Sequence, residues 1–255
     1  MISRLVSLFY VLYLILPIGL ILTGSFGETW INTLLPEGHT GQWYAELWDD
    51  RSFTRAFVTS LLVAVSACAI NVLLCVPLAY TLVHGARQRN QFATRMLTLL
   101  PVAVPTITLG FGYILVFNTD ALPWLGSTPL LIAAHVVLTL PYLTQTLVTA
   151  LRHQRLDRLE QAAATLGARP MARFFGIVVP NLRHSLLSGL VMVAALSIGE
   201  FQISNLIVGF QNRTFPVVLL QAFYGASGFA CAATVVLLLL ATIASLTSTL
   251  SSRTR

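Results

Sequence analysis

A single acidic residue, Glu200, interrupts an apolar stretch of the chain, and Gln202 and Asn205 follow it closely. A carboxylate within a lipid-spanning segment is costly unless it is paired or faces water, so such a residue marks a candidate functional position. These three side chains therefore predict polar contacts inside a membrane bundle, along a path that a solute could follow.

Enzyme chemistry finds little support elsewhere in the sequence. The segment 225–228 carries the Gly-x-Ser-Gly pattern of rhomboid membrane proteases, but a nucleophilic serine needs a base such as histidine within hydrogen-bond reach. Rhomboid proteases supply that base from a later helix, and no histidine follows Ser227. The chain also contains no lysine, which the phosphate loop of an ATPase requires. The cysteines show no metal-ligand spacing. Any ATP-driven process must therefore use a separate subunit, and we expect a chain that is not an enzyme and binds no cofactor or metal itself.

The elements that would carry these residues are membrane helices. Hydrophobic residues make up 56% of the chain and charged residues 9%, far below the roughly 25% that is usual in soluble domains. Apolar stretches of about 20 residues can span a bilayer as helices, which satisfy their own backbone hydrogen bonds. We therefore predict an all-α integral membrane protein with six transmembrane helices, at about 5–24, 56–83, 96–117, 129–150, 186–210 and 227–250.

The distribution of arginine predicts the orientation of this bundle. In a six-helix arrangement, 12 of the 15 basic residues fall on one side, and only Arg51, Arg55 and Arg213 fall on the other. Cytoplasmic loops are enriched in basic residues, so both termini and the connection between the fourth and fifth stretches are expected in the cytoplasm. The segment 25–53 would face outward and include a short helix near the lipid headgroups. The net charge of +6 thus indicates membrane topology and not a nucleic-acid partner.

The cytoplasmic connection, 151–185, differs from the rest of the chain. Up to Leu166 it favours a helix, and Gly167 is a typical residue to end one. Pro170 suits the first turn of a second short helix, which is expected to end before Pro180. The sequence thus predicts a helix, a sharp turn and a second helix, a shape suited to docking a soluble protein.

This connection resembles the EAA loop of permease subunits of ATP-binding-cassette importers, in which Glu-Ala-Ala is followed at fixed spacing by a glycine and by Ile-x-Leu-Pro. The spacing agrees throughout, although Gln161 stands in place of the motif glutamate and Val179 in place of leucine. Because Gln161 cannot form the motif's ion pair, we expect either that Glu160 replaces it or that the contact is neutral and weaker. The resemblance implies ATPase coupling through Glu160, Gln161, Ala162, Ala163, Leu166, Gly167, Ala168, Ile177 and Pro180.

The segment Gly199-Glu200-Phe201 is similar to permeases that serve sulfate, molybdate, thiamine, ferric iron and polyamine importers. The resemblance implies a type I importer (MetI-like) core of five helices with an additional N-terminal helix, in a bacterial inner membrane. The domains would be an N-terminal helix and external segment over 1–53 and a permease core over 54–255. The implied partners are a pair of cytoplasmic ATPase subunits that use ATP and magnesium, a periplasmic solute-binding protein, and a second permease copy, identical or homologous.

An ion-coupled secondary transporter is the alternative reading. Such carriers often place several ionisable or helix-breaking groups at mid-membrane, in repeated halves. Here the spans contain one glutamate and one histidine, His135, and no repeat is visible. That alternative also leaves the spacing within the loop unexplained.

Overall fold

Helices dominate the computed structural model, which describes residues 2–31, 33–84, 96, 100, 102–154 and 156–253. Four helical runs among these residues are long and apolar enough to cross a membrane, and three shorter apolar helices accompany them. The all-α membrane architecture is confirmed, whereas the count of six spans is not. In chain order the described helices are α1 (Ile2–Gly24), α2 (Gln42–Asp49), α3 (Arg51–His84), α4 (Thr106–Phe117), α5 (Thr128–Gln154), α6 (Leu156–Thr165), α7 (Pro170–Arg173), α8 (Val179–Ile198), α9 (Gln202–Ile207), α10 (Phe215–Gly225) and α11 (Ser227–Arg253).

Shorter elements join these helices. A two-stranded antiparallel sheet, β1 (Asn118–Thr119) and β2 (Leu122–Pro123), follows α4. A π-helical turn, Phe174–Val178, joins α7 to α8, and a single 3₁₀ turn, Phe210–Asn212, precedes α10.

Several helix boundaries differ from the predicted ones. Helix α3 begins at Arg51, about five residues before the predicted span, and continues through Pro77 to His84. Helix α4 begins directly after Pro105, which lies within the predicted third stretch of about 96–117, and Pro101 lies outside the described residues. The connection between the predicted fifth and sixth spans contains α10, because Phe215 to Gly225 is an apolar run without an internal helix breaker beyond its first turn.

The chain divides by its contacts into two compact units, of which the first comprises Met1–Arg55 and Val217–Arg255. Here α1 and α2 both pack against α11. The indole of Trp43 donates a hydrogen bond of 2.7 Å to the carbonyl of Gly27 and covers Gly228, where a Cβ atom would overlap the ring. Ser227 and Gly228 therefore begin a helix that needs small residues there. The short helix predicted within 25–53 is also confirmed, as α2.

The second unit, Ala56–Pro216, holds both sets of candidate residues. Within it α5 packs along α8, and α4 packs against α9. One buried apolar cluster joins α3, α5, α6 and α8, and a second joins α3, α5 and α9. The first contains Cys75, Val76, Ala79, Leu82, Leu143, Leu147, Val148, Leu151, Leu156, Val178, Leu182 and Val193; the second contains Val63, Leu130, Leu131, Ala134, Ile203 and Ile207.

Candidate functional site

The predicted turn after α6 is present and is held by backbone hydrogen bonds. Gly167 has a φ of +84°, in the left-handed region that favours glycine. Its N–H bonds to the carbonyl of Ala164 at 3.0 Å, and the N–H of Ala168 bonds to the carbonyl of Ala163 at 3.0 Å. This pair of bonds is the Schellman arrangement, which satisfies carbonyls left open at a helix end. The predicted end of the helix at Gly167 is confirmed.

The second helix of the loop departs from its prediction. Pro170 does occupy its first turn, as expected. However, the helix does not end before Pro180, because Pro170–Ile198 forms one helical run from the loop into the long helix α8. The loop is therefore joined to the bundle on this side by a helix and not by a flexible link.

The π-helical turn explains why Pro180 does not break this run. The N–H of Val179 bonds to the carbonyl of Phe174, so the helix is one residue wider at this point. In a regular α-helix the proline ring would clash with the carbonyl four residues earlier, and the wider turn relieves that crowding. The amide of Asn181 also donates a bond of 2.7 Å to the carbonyl of Ile177.

The turn at Gly167 carries large apolar side chains that the described chain leaves uncovered. Leu166 is 89% exposed, Met171 72% and Phe175 65%. A group of exposed apolar side chains on an otherwise polar segment is typical of an interaction surface. Of the other residues predicted to dock, Gln161, Ala162, Gly167 and Pro180 are exposed, and Ala163, Ala168 and Ile177 are half-buried.

Glu160 does not belong to this surface. Its side chain is 5% exposed, and its carboxylate faces the end of α3. The hydroxyl of Tyr80 donates a bond of 2.7 Å to Oε2, and Nε2 of His84 lies 3.2 Å from Oε1. Arg173 donates from Nη1 to the backbone carbonyl of Glu160 at 3.5 Å. Of the two alternatives for the missing motif glutamate, the inward carboxylate of Glu160 favours a neutral contact at Gln161 over a replacement by Glu160.

The predicted fifth span is interrupted at Glu200. Helix α8 ends at Ile198, and the short helix α9 begins at Gln202, so the stretch predicted as one helix over 186–210 is broken. Oε1 of Glu200 accepts from the N–H of Ile203, and Oε2 accepts from the N–H and the hydroxyl of Ser204, each at 2.9 Å. The carboxylate thereby satisfies backbone donors that the first turn of a helix leaves open.

A buried polar network continues from this cap into α5. The hydroxyl of Ser204 gives its proton to Glu200, so it accepts from Nε2 of His135 at 3.0 Å. Nδ1 of His135 then accepts from the hydroxyl of Ser197 at 2.7 Å. The pattern fits a neutral ring that carries its proton on Nε2. His135 is thus a hydrogen-bonded packing residue, the reading that the sequence favours at least as much as a functional one.

The network reaches α3 through Thr139. Its hydroxyl donates to the carbonyl of His135 at 2.6 Å and accepts from the amide of Asn71 at 2.8 Å. Both Thr139 and Asn71 are fully buried. Polar side chains from α3, α5, α8 and α9 are therefore linked in one chain of bonds, which fixes the break after α8 relative to its neighbours.

Gln202 and Asn205 lie on the opposite side of α9 from this network. Both are exposed, whereas Ile203, Ser204 and Ile207 on the other face are buried. The three residues predicted to line a path therefore differ in position. The carboxylate of Glu200 caps the first turn of α9, whereas the side-chain amides of Gln202 and Asn205 lie on the exposed face of α9.

Sequence reasoning missed the partners of both carboxylates. Tyr80 and His84 contact Glu160, with Phe174 packed against the ring of Tyr80, and Ser204 contacts Glu200. The spacing of Glu200 and Ser204, four residues apart, is a signal of local capping that the sequence contains. No comparable signal relates Tyr80 to Glu160, because 80 residues separate them.

Comparison with known proteins identifies the class to which this architecture belongs. The family model described as "Binding-protein-dependent transport system inner membrane component" matches residues 76–254, more than half of the chain. The chain belongs to this family. The match covers the loop, helices α5, α8 and α9, and the polar network except for Asn71 of α3.

Named relatives of the permease serve ATP-binding-cassette importers. This chain is 27% identical over 218 residues to the "Putative 2-aminoethylphosphonate transport system permease protein PhnV" of Salmonella typhimurium, and the alignment covers 84% of this chain and 79% of the relative. It is 27% identical over 215 residues to the "Putrescine transport system permease protein PotI" of Escherichia coli K12, covering 82% and 75%. The permease is accordingly a bacterial integral membrane subunit of such an importer, which favours this reading over an ion-coupled carrier.

A solved structure supports the fold of the permease. A bacterial ABC transporter involved in the import of the acidic polysaccharide alginate aligns with a TM-score of 0.69, over 98% of this chain and 94% of that one. The sequence identity is 13%, so the likeness concerns the fold alone.

Proposed function

We propose that the permease forms a solute path together with a second, identical or homologous permease chain, and couples uptake to ATP hydrolysis in separate cytoplasmic ATPase subunits. The observation that carries this proposal is the turn at Gly167, around which Leu166, Met171 and Phe175 are exposed apolar side chains. ATP and magnesium are assigned to the ATPase partner, and the permease itself holds no cofactor.

Rigid connection transmits the movement of the partner. Helix α6 ends in a bonded turn, and the helical run Pro170–Ile198 leads without interruption from that turn into the bundle. When the ATPase subunits close on ATP, they displace the docked turn, and α8 moves with the turn as a rigid unit. Movement of packed helices as rigid units is one established way to alternate access.

The exposed face of α9 supplies the polar contacts of the path. Gln202 and Asn205 are free to meet a solute, while Glu200 fixes the helix on which they stand. A periplasmic solute-binding protein delivers the solute and sets its identity. The excess of arginine on one side of the helices supports a cytoplasmic position for the loop and for both termini.

The docking role is tested by two substitutions at Gly167. A β-branched residue is strained at φ +84°, whereas asparagine tolerates this region, and no atom lies within 4 Å of the position that a Cβ would take. We expect Gly167→Val to reduce co-purification of the co-expressed ATPase subunit from membranes by about tenfold, since left-handed strain costs roughly 1–2 kcal/mol. Gly167→Asn is the matched control and should retain the ATPase. Equal retention by both variants would count against docking at this turn.

A further inference from the structure

Side chains at the C-terminal end of α3 contact the loop through the carboxylate of Glu160. Tyr80 donates to Glu160 at 2.7 Å, and Nε2 of His84 lies 3.2 Å from its other oxygen. The rings of Tyr80 and His84 are stacked with centroids 4.4 Å apart, and Phe174 meets Tyr80 edge-on at 5.2 Å. We call this group of four side chains, Tyr80, His84, Glu160 and Phe174, the Glu160 contact.

The Glu160 contact adds a connection that chain order does not provide. The loop is covalently continuous with α5 on one side and with α8 on the other, and α3 lies 80 residues earlier. Apolar packing reinforces the link, because Leu156 and Val178 of the loop are buried in the same cluster as Ala79 and Leu82 of α3. Three long helices, and not two, are therefore fastened to the segment that docks.

Burial makes the hydrogen bond from Tyr80 important to this fastening. A carboxylate that is 5% exposed loses most of its hydration and depends on its protein partners. Hydrogen bonds to charged groups contribute more than those between neutral groups. Loss of the hydroxyl of Tyr80 alone would leave Oε2 of Glu160 without this donor while the ring contacts with His84 and Phe174 remain.

We infer that Glu160 is a positioning residue that ties α6 to the end of α3, so that a displacement of the loop by the ATPase moves α3 together with α5 and α8. This inference rests on the proposed function. It assigns Glu160 a task distinct from docking, which falls to the exposed residues around Gly167. It also accounts for the coexistence of an inward Glu160 and an exposed, uncharged Gln161.

Tyr80→Phe tests the inference, with Thr81→Val as the matched control. Thr81 is the next residue and also loses a hydroxyl, but that hydroxyl bonds to the carbonyl of Leu78 within its own helix. The first measurement is amide hydrogen exchange of the purified full-length permease. We expect Tyr80→Phe to raise exchange in α6 by about tenfold, as the loss of a bond to a charged group implies, with α5 and α8 unchanged. Thr81→Val should resemble the wild type.

The second measurement uses the permease assembled with its co-expressed ATPase, with and without ATP and vanadate. In the wild type we expect the nucleotide to change exchange in the last turns of α3. In Tyr80→Phe this change should be lost although the ATPase still co-purifies, a result that a merely structural role would not produce. If Tyr80→Phe does not fold, Glu160→Gln serves instead: it removes the charge that faces His84 and weakens the bond from Tyr80, so the nucleotide response of α3 should again be reduced while the ATPase still co-purifies.

The outcomes separate this inference from the proposed function. If α6 exchange and the nucleotide response of α3 are the same in Tyr80→Phe and Thr81→Val, the positioning role is overturned while docking stands. If the wild-type permease fails to retain the ATPase, docking is overturned and the coupling role with it. Loss of the nucleotide response only in Tyr80→Phe, with the ATPase bound, supports both.

Discussion

Two buried carboxylates, Glu160 and Glu200, are held in different ways. Glu200 is bonded by groups three and four residues along the chain, two of them backbone N–H groups. Glu160 is bonded by a phenol and faces an imidazole, both on a helix 76 to 80 residues earlier. One carboxylate organises a local break between two helices, and the other joins distant parts of the fold.

The difference indicates which movements each region permits. The three bonds of Glu200 itself survive a movement of α9, because they all end on α9, whereas the bonds of Ser197 and Ser204 to His135 hold the break to α5. The bond from Tyr80 to Glu160 persists only if α3 and α6 move together. We therefore expect substitutions at Glu200 to act mainly on stability and substitutions around Glu160 to act mainly on the transmission of movement.

The largest effect on stability is expected from Glu200→Ala. It removes three hydrogen bonds and leaves the N–H groups of Ile203 and Ser204 in a buried position without an acceptor. We predict a loss of about 3 kcal/mol in the free energy of unfolding, measured by detergent denaturation of the purified permease. Glu200→Gln keeps the shape and one acceptor and should lose about 1 kcal/mol. Equal losses in the two variants would show that the cap is not the reason for the effect.

The next effect concerns the serines that bracket His135. Ser204→Ala interrupts the bond to Glu200 and the bond from Nε2 of His135, whereas Ser197→Ala removes only the donor to Nδ1. We expect a loss of about 2 kcal/mol for Ser204→Ala and about 1 kcal/mol for Ser197→Ala in the same denaturation assay. The reverse order would mean that the network is not joined through Ser204.

Local chemistry explains which parts of the loop could be foreseen. Gly167 and Pro170 restrict their own backbone so strongly that the turn and the start of α7 follow from the residues themselves. Pro180 misled the same reasoning, because its effect depends on whether the preceding turn is regular or π-helical. That choice is set by how the whole run Pro170–Ile198 packs, which no short segment of the sequence encodes.

Polar residues within the spans were harder to assign for a related reason. The sequence indicates that Glu200 needs a partner, but not whether the partner is a solute, water or the backbone of the next turn. Its spacing to Ser204 permits a local cap, and the structure realises it. Glu160 was expected in the docking surface because it lies in the loop that resembles the EAA motif. Its burial depends on Tyr80 and His84, which only the tertiary fold brings near.

A moderate effect is predicted for Glu160→Ala, and it should be confined to the loop. The substitution deprives the hydroxyl of Tyr80 of its acceptor but leaves the cluster around Leu156 and Val178 in place. We expect a loss of about 1 kcal/mol in the free energy of unfolding, smaller than for Glu200→Ala. Limited proteolysis should cut α6 faster than in the wild type, with the long helices resistant. Faster cleavage throughout the second unit would contradict a local role.

Gln161→Glu is expected to change stability least and to distinguish docking from the Glu160 contact most clearly. Gln161 is exposed, so its replacement should alter the free energy of unfolding by no more than about 0.5 kcal/mol. The motif that the loop resembles has a carboxylate at this position, and charge-assisted hydrogen bonds are roughly twice as strong as neutral ones. We therefore expect Gln161→Glu to raise the affinity for the ATPase subunit by about fivefold in a binding titration at low salt, with the gain diminishing as salt screens the new charge.

Gln161→Met, of similar length and uncharged, is the control and should show no such salt dependence. A gain in affinity with unchanged exchange in α6 would place docking at Gln161 and positioning at Glu160, whereas slower exchange in α6 would mean that the two neighbouring residues act on one and the same contact.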